Sequence, residues 1–112
     1  MDKITHYRKL VEEVLRRHHR PARKGLEVEE QMIADREHDH YQILTVGWLN
    51  DDEPVYQCKI HMDIRDGKIW IQRDFTEIGV ANELVALGVP KEDIVLAFYA
   101  PFMREDTGFA AA

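Results

Sequence analysis

Serine is absent from this chain of 112 residues, and cysteine occurs once, as Cys58. One cysteine excludes an internal disulfide bond, and a chain without serine has no serine nucleophile for acyl transfer. Cys58 falls on an apolar strand pattern, where a thiolate is costly, so we expect a small buried side chain and no cysteine nucleophile. The glycines are scattered, which argues against a phosphate-binding loop. No catalytic residue and no cofactor is therefore predicted.

Long hydrophobic runs are also missing. The apolar stretches are short and interrupted by charge, whereas a membrane span needs roughly twenty apolar residues. The N-terminal sequence MDKITHYRKL lacks the apolar core of a secretion signal, so we expect a cytoplasmic protein. The length of 112 residues and a hydrophobic content of 45% predict a single domain over residues 1–112.

The net charge of −6 is unevenly distributed along the chain. Residues 1–25 hold eight Lys/Arg and three Asp/Glu (+5), whereas residues 26–112 hold seven and eighteen (−11). The acidic body argues against a broad DNA-binding face. The basic stretch 16–24 can bind nucleic acid, an acidic partner or a second copy of the chain. Alternatively, its cations lie at the end of a helix only because the helix dipole favours positive charge there. Its candidate nucleic-acid contacts are Arg16, Arg17, Arg20 and Arg23.

Two helices are predicted from the apolar periodicity. Over residues 2–19 apolar side chains recur at three- and four-residue spacing, Asp2 can cap the start, and Pro21 cannot continue the helix. A second amphipathic stretch covers residues 76–87, with Thr76 as its candidate cap.

Strands are predicted over residues 27–35, 41–48, 55–65, 68–74 and 94–99, with a loop at 50–54. The strongest local signal is Asp66-Gly67, because both residues of a tight hairpin turn must take positive φ. This turn pairs Ile64 with Ile69 and Met62 with Ile71. Alternation then assigns one set to the core face: Tyr56, Cys58, Ile60, Met62, Ile64, Ile69 and Ile71. The other face carries Lys59, His61, Asp63, Trp70, Gln72 and Asp74.

The order of these elements predicts an α+β fold. We expect an N-terminal helix and an antiparallel β-sheet of four to five strands, with helices packed on one face. An edge strand exposes a surface that a second copy of the chain can cover, so we also expect a homo-oligomer.

The polar sheet face is the predicted partner-binding surface, formed by His61, Asp63, Trp70 and Gln72. An exposed tryptophan with a polar rim is a common interface anchor. The alternative is that Trp70 is covered by this chain's own hairpin or C-terminal segment.

Besides nucleic-acid binding and protein binding, a metal site is a third hypothesis for this chain. His38 and His40 would share a face within a strand, as would His61 and Asp63. A metal-dependent hydrolase needs these four residues to converge, and sequence spacing alone does not show convergence. A structural zinc site usually employs cysteines, so the sequence favours the simpler interpretation of polar residues on a solvated strand face.

Several long stretches resemble the XisI family, the fdxN element excision controlling factors of cyanobacteria. The matching stretches are YRKLVEEVL, DREHDHYQILTVGW, CKIHMDIRDGKIWIQRD and ANELVALGVPKEDIVLAFYAPFMREDTGFAAA. The resemblance implies a small α+β domain that acts as an accessory factor in programmed excision of a DNA element. It also implies a site-specific recombinase and a second factor, XisH, a nuclease-fold protein, as partners. No catalytic residues come with the resemblance, and contact with DNA would be indirect. We therefore expect a non-enzymatic regulator that binds proteins.

Overall fold

The computed structural model describes residues 2–22, 25 and 27–112. Its helices and strands are α1 (Lys3–His18), β1 (Glu27–Asp35), β2 (His40–Asn50), β3 (Glu53–Arg65), β4 (Lys68–Asp74), α2 (Val80–Ala86) and β5 (Ile94–Leu96). Short 3-10 helices cover Lys91–Asp93 and Pro101–Asp106. No helix among these residues combines the length and the apolarity needed to cross a membrane.

The strands form one sheet in the order β1-β2-β3-β4-β5. The first four strands pair antiparallel, whereas β5 runs parallel to β4. A parallel neighbour needs a crossover connection, and α2 provides it. The predicted α+β class is confirmed, with a mixed sheet of five strands.

Helix α1 begins as its sequence predicts and packs on one sheet face. The Asp2 carboxylate accepts a hydrogen bond from the Thr5 backbone N–H at 2.8 Å, which caps the helix. The apolar stripe of α1 meets β-strand side chains in one core, whose fully buried members include Val11, Val14, Leu15, Tyr41, Ile43, Ile60, Met62, Ile69 and Ile71.

The β3–β4 hairpin has the predicted turn. Asp66 and Gly67 take φ values of 53° and 76°. Ile64 pairs with Ile69, as Asp66-Gly67 predicts. Because this turn is local, its register can be derived from the sequence.

A β-bulge at Lys59 overturns part of the predicted face assignment. Ile43 pairs with Ile60, but the next residue of β2, Leu44, pairs with Cys58, so Lys59 is the extra residue. The Lys59 Nζ donates to the His18 carbonyl at 2.8 Å and therefore lies on the helix side of the sheet. The bulge turns Cys58, and Tyr56 beyond it, to the face opposite Ile60. Both were wrongly predicted to lie on the core face.

Helix α2 begins at Val80, four residues later than predicted. The Asp74 carboxylate accepts hydrogen bonds from the backbone N–H groups of Thr76 and Val80, both at 2.8 Å. These bonds hold the intervening segment in a turn, so Thr76 does not cap the helix. They also place Asp74 beside α2 instead of on the polar face.

The loop between β2 and β3 and the end of the last strand also differ from the prediction. The loop at 50–54 shrinks to a turn at residues 51–52, because β3 begins at Glu53. The last strand ends at Leu96, since the Tyr99 N–H donates to the Leu96 carbonyl and turns the chain away from the sheet.

Candidate functional site

The sheet face turned away from α1, named the outer face here, is the candidate site. Side chains paired directly across neighbouring antiparallel strands lie on the same face. The register assigns His40, Gln42, Leu44, Val46 and Trp48 of β2, and Tyr56, Cys58, His61 and Asp63 of β3, to the outer face. Strand β1 adds Glu27, Glu29 and Asp35, which pair with Trp48, Val46 and His40.

Two aromatic side chains are exposed on the outer face. Trp48 is 48% exposed and Tyr56 is 76% exposed. The acidic residues Glu27 and Glu29 of the edge strand lie beside them. The sequence analysis assigned Tyr56 to the core face, because the effect of the bulge on β3 cannot be derived from alternation.

Trp70, the predicted interface anchor, is buried, with only 7% of its surface exposed. The Arg65 guanidinium lies 3.9 Å from the centre of the indole ring, and that of Arg104 lies 5.8 Å away. The indole N–H donates to the Arg65 carbonyl at 3.1 Å. The chain's own hairpin and C-terminal segment therefore cover Trp70, as in the alternative interpretation.

The other predicted residues of this face surround one carboxylate. The Asp63 Oδ1 lies 2.7 Å from the His40 Nδ1 and 2.8 Å from the His61 Nε2. The Gln72 amide donates to the other oxygen, Oδ2, at 3.3 Å. The hydrogen bond to Asp63 raises the pKa of His40 above its ordinary value.

His38 stays apart from this cluster. Its Nδ1 lies 3.0 Å from the Asp35 Oδ2, within the turn between β1 and β2. The structure thus brings together three of the four residues in the metal hypothesis. His40 joins His61 and Asp63 because β2 and β3 pair in this register.

Cys58 lies on the outer face, and its surface is partly exposed. Burial raises the pKa of its thiol. The thiol form therefore dominates at neutral pH, which does not suit a nucleophile.

The basic stretch is partly engaged by acidic side chains. Arg16 and Arg17 lie in the last turn of α1, where the helix dipole favours cations. The Arg17 guanidinium lies 3.5 Å from the Glu13 carboxylate and 3.7 Å from that of Glu83. The Arg20 guanidinium donates to the Arg17 carbonyl at 2.6 Å. The fourth candidate, Arg23, lies outside the described residues.

A mixed sheet with helices packed on one face defines a small α+β domain, and solved structures share this fold. An XisI-like protein from Anabaena variabilis ATCC 29413 is 41% identical, with a TM-score of 0.89 over 99% of this chain and 100% of that one. The fdxN element excision controlling factor XisI from the same organism is 33% identical, with a TM-score of 0.87 and the same coverage.

The family model described as XisI protein matches residues 1–111. The chain therefore belongs to the XisI family. A comparison with curated proteins gives no match.

Proposed function

We propose that this chain is a non-enzymatic accessory factor that controls excision of a DNA element by binding another protein through its outer face. One relative is named as an excision controlling factor, which supports the general role. The observation that carries the binding surface is the exposure of Trp48 and Tyr56 on a sheet face with an acidic edge.

The chemistry of the outer face fits a protein partner. Large aromatic side chains contribute much of the binding energy at interfaces, and a polar rim excludes water around them. Trp48 and Tyr56 supply the aromatic surface, while His61, Asp63 and Gln72 supply polar groups farther along the same face. These five residues form the proposed contact surface.

The charge of the chain favours a basic partner. Residues 26–112 carry a net charge of −11, and Glu27 and Glu29 place part of it along the outer face. A protein that handles nucleic acid presents cations, so an acidic surface attracts it and competes with its nucleic acid. The proposed partner is an XisH-type protein, and the controlled reaction is that of a site-specific recombinase. DNA is then reached through the partner, since Arg17 of the basic stretch is already paired with acidic side chains.

Co-expression with an XisH-type protein, followed by gel filtration, tests this proposal. We expect co-elution of the two chains at micromolar concentrations. The variants Trp48→Ala and Tyr56→Ala should each weaken the complex by at least about tenfold, because truncation of an interface hot spot costs about 2 kcal/mol or more.

Phe102→Ala is the matched control. Phe102 is 77% exposed, but it lies in the 3-10 helix Pro101–Asp106 instead of on the outer face. Its removal should leave co-elution unchanged. Separate elution of the unmodified proteins would contradict the proposal, and equal weakening by Phe102→Ala and Trp48→Ala would place the contact elsewhere.

A further inference from the structure

The pairing of β2 with β3 brings two imidazoles to one carboxylate. His40 is the cross-strand partner of Asp63, and His61 lies two residues before Asp63 on the same strand and face. The two rings approach the Asp63 Oδ1 from different strands, and their centres are 6.4 Å apart in an edge-on arrangement. One ligand atom from each of His40, His61 and Asp63 lies within 4.8 Å of the others.

Two imidazole nitrogens and a carboxylate oxygen form a donor set for a divalent transition metal ion. Zinc binds such ligands at about 2.0–2.1 Å, so neighbouring ligand atoms in a tetrahedral shell are about 3.3 Å apart. The two nitrogens lie 2.7 and 2.8 Å from the Asp63 Oδ1. Each nitrogen is therefore about half an ångström closer to Oδ1 than in such a shell, and the two nitrogens lie within 4.8 Å of each other.

Neighbouring amides hold these side chains in position. The Gln72 Nε2 donates to the Asp63 Oδ2 at 3.3 Å, which leaves Oδ1 to the histidines. The Gln42 amide lies 3.4 Å from the His61 Nδ1, the ring nitrogen that faces away from Asp63. A histidine that binds a metal through Nε2 donates its Nδ1–H to an acceptor, so the Gln42 amide would present its oxygen to His61 when the ion is bound.

We propose that His40, His61 and Asp63 bind one divalent transition metal ion of the zinc type on the outer face. Three protein ligands leave at least one position of the ion open. The His40 side chain is 55% exposed, so this position is accessible to water or to a donor group from a bound molecule. The site shares His61 and Asp63 with the proposed contact surface, but it can be tested separately, because the isolated chain is sufficient to bind the ion.

Calorimetric titration of the untagged, chelator-treated chain with zinc chloride tests the proposal. We expect one ion per chain at this site. His40→Ala and His61→Ala should each weaken binding at least about tenfold, and Gln72→Ala should weaken it by about tenfold, because supporting residues also contribute to metal affinity. Cobalt(II) provides a second measurement, since its visible absorption changes when a nitrogen ligand is lost.

His38→Ala is the matched control, because His38 is close in sequence but bonded to Asp35. It should retain full affinity and the full cobalt spectrum. Absence of zinc binding by the unmodified chain would overturn the proposal. So would equal weakening by His38→Ala and His40→Ala, which would indicate adventitious binding to surface histidines. Either result, together with intact co-elution with an XisH-type protein, would leave the proposed function standing.

Discussion

Arg36, in the turn between β1 and β2, forms a two-pronged ion pair with Glu12 of α1, with N–O distances of 2.9 to 3.2 Å. The Glu12 side chain is 8% exposed, whereas that of Arg36 is 71% exposed. A buried carboxylate loses its hydration and needs a partner to compensate. The charged turn therefore fixes the position of the helix on the sheet.

Replacing Arg36 should destabilise the fold. Arg36→Ala leaves Glu12 buried and unpaired, so we expect the free energy of unfolding to fall by about 1–2 kcal/mol. The exposure of Arg36 keeps the loss below the 3–5 kcal/mol or so that breaking a fully buried pair costs. Urea unfolding measures the change. Glu37→Ala, an exposed change in the same turn, should stay within about 0.5 kcal/mol, and an equal effect of both variants would refute this role.

Asp39 forms a second ion pair between the same turn and α1. Its carboxylate accepts hydrogen bonds from the Arg8 guanidinium at 2.8 and 3.0 Å and from the Tyr41 hydroxyl at 2.9 Å. The Arg8 bonds hold the pKa of Asp39 below its ordinary value. A group with a depressed folded pKa stabilises the fold above its unfolded pKa of about 3.9, and this contribution is lost as the pH falls through the folded pKa.

Asp39→Asn should consequently reduce stability in a pH-dependent way. Asparagine tolerates the positive φ of 59° at this position, so the change removes the charge and one of the two acceptor oxygens without straining the backbone. We expect a loss of about 1 kcal/mol near neutral pH, shrinking as the pH falls below about 4. Urea unfolding from pH 7 to pH 3 measures it. Asp52→Asn, in the turn between β2 and β3, is the control, and a pH-independent loss at position 39 would contradict the assignment.

Local signals predicted α1 and the Asp66-Gly67 hairpin, because a cap, an apolar stripe and a turn dipeptide each act over a few residues. The outer face was predicted less well. One extra residue at Lys59 reverses the facing of the β3 side chains before it, and nothing in the alternation marks that residue. Covering of Trp70 by Arg104 is likewise a tertiary event between distant parts of the chain.

Only part of the cluster around Asp63 could be predicted from the sequence. His61 and Asp63 share a face in any strand, so their proximity follows from the sequence. The position of His40 depends on the length of the turn between β2 and β3 and on the bulge, which together set the register. The concentration of charge from Asp35 to Asp39 is explained by two ion pairs with α1, Arg36 with Glu12 and Asp39 with Arg8. These pairs could not be predicted from the sequence, because they depend on how the helix packs on the sheet.

Gly47 is a position where β1 and β2 pass too closely for a side chain. A Cβ there would lie 1.9 Å from the Glu27 carbonyl oxygen and 2.7 Å from the Val28 Cα, and its φ is 143°. Gly47→Ala should therefore force β1 away from β2. We expect a loss of about 3 kcal/mol or more in the free energy of unfolding, with faster amide hydrogen exchange in β1.

Gly88→Ala is the control that separates the clash of a Cβ with a neighbouring strand from the strain of a positive φ. Gly88 also has a positive φ, of 102°, but a Cβ there meets nothing within 4 Å. The change should cost only the conformational strain, about 1–2 kcal/mol, and should not alter exchange in β1. Equal losses for the two variants would show that the close approach of β1 contributes nothing.

The reactivity of Cys58 tests the bulge, because the bulge determines which face of the sheet this residue occupies. Cys58 is the single cysteine of the chain, so the signal comes from one position. On the outer face its thiol is partly exposed, and burial raises its pKa. An aromatic disulfide reagent should therefore modify the folded protein, but more slowly than the urea-unfolded chain, since less thiolate is present. Cys58→Ala should abolish the signal.

The same reaction connects the fold with the proposed function. If Cys58 faced the core, as strand alternation alone predicts, modification would occur only on unfolding, and its rate would follow the unfolding rate. A partner seated on the outer face should protect the folded thiol, and Trp48→Ala should restore the reaction by weakening the complex. Co-elution with an unprotected thiol would instead show that the partner binds away from Cys58, because a covered side chain cannot admit the reagent.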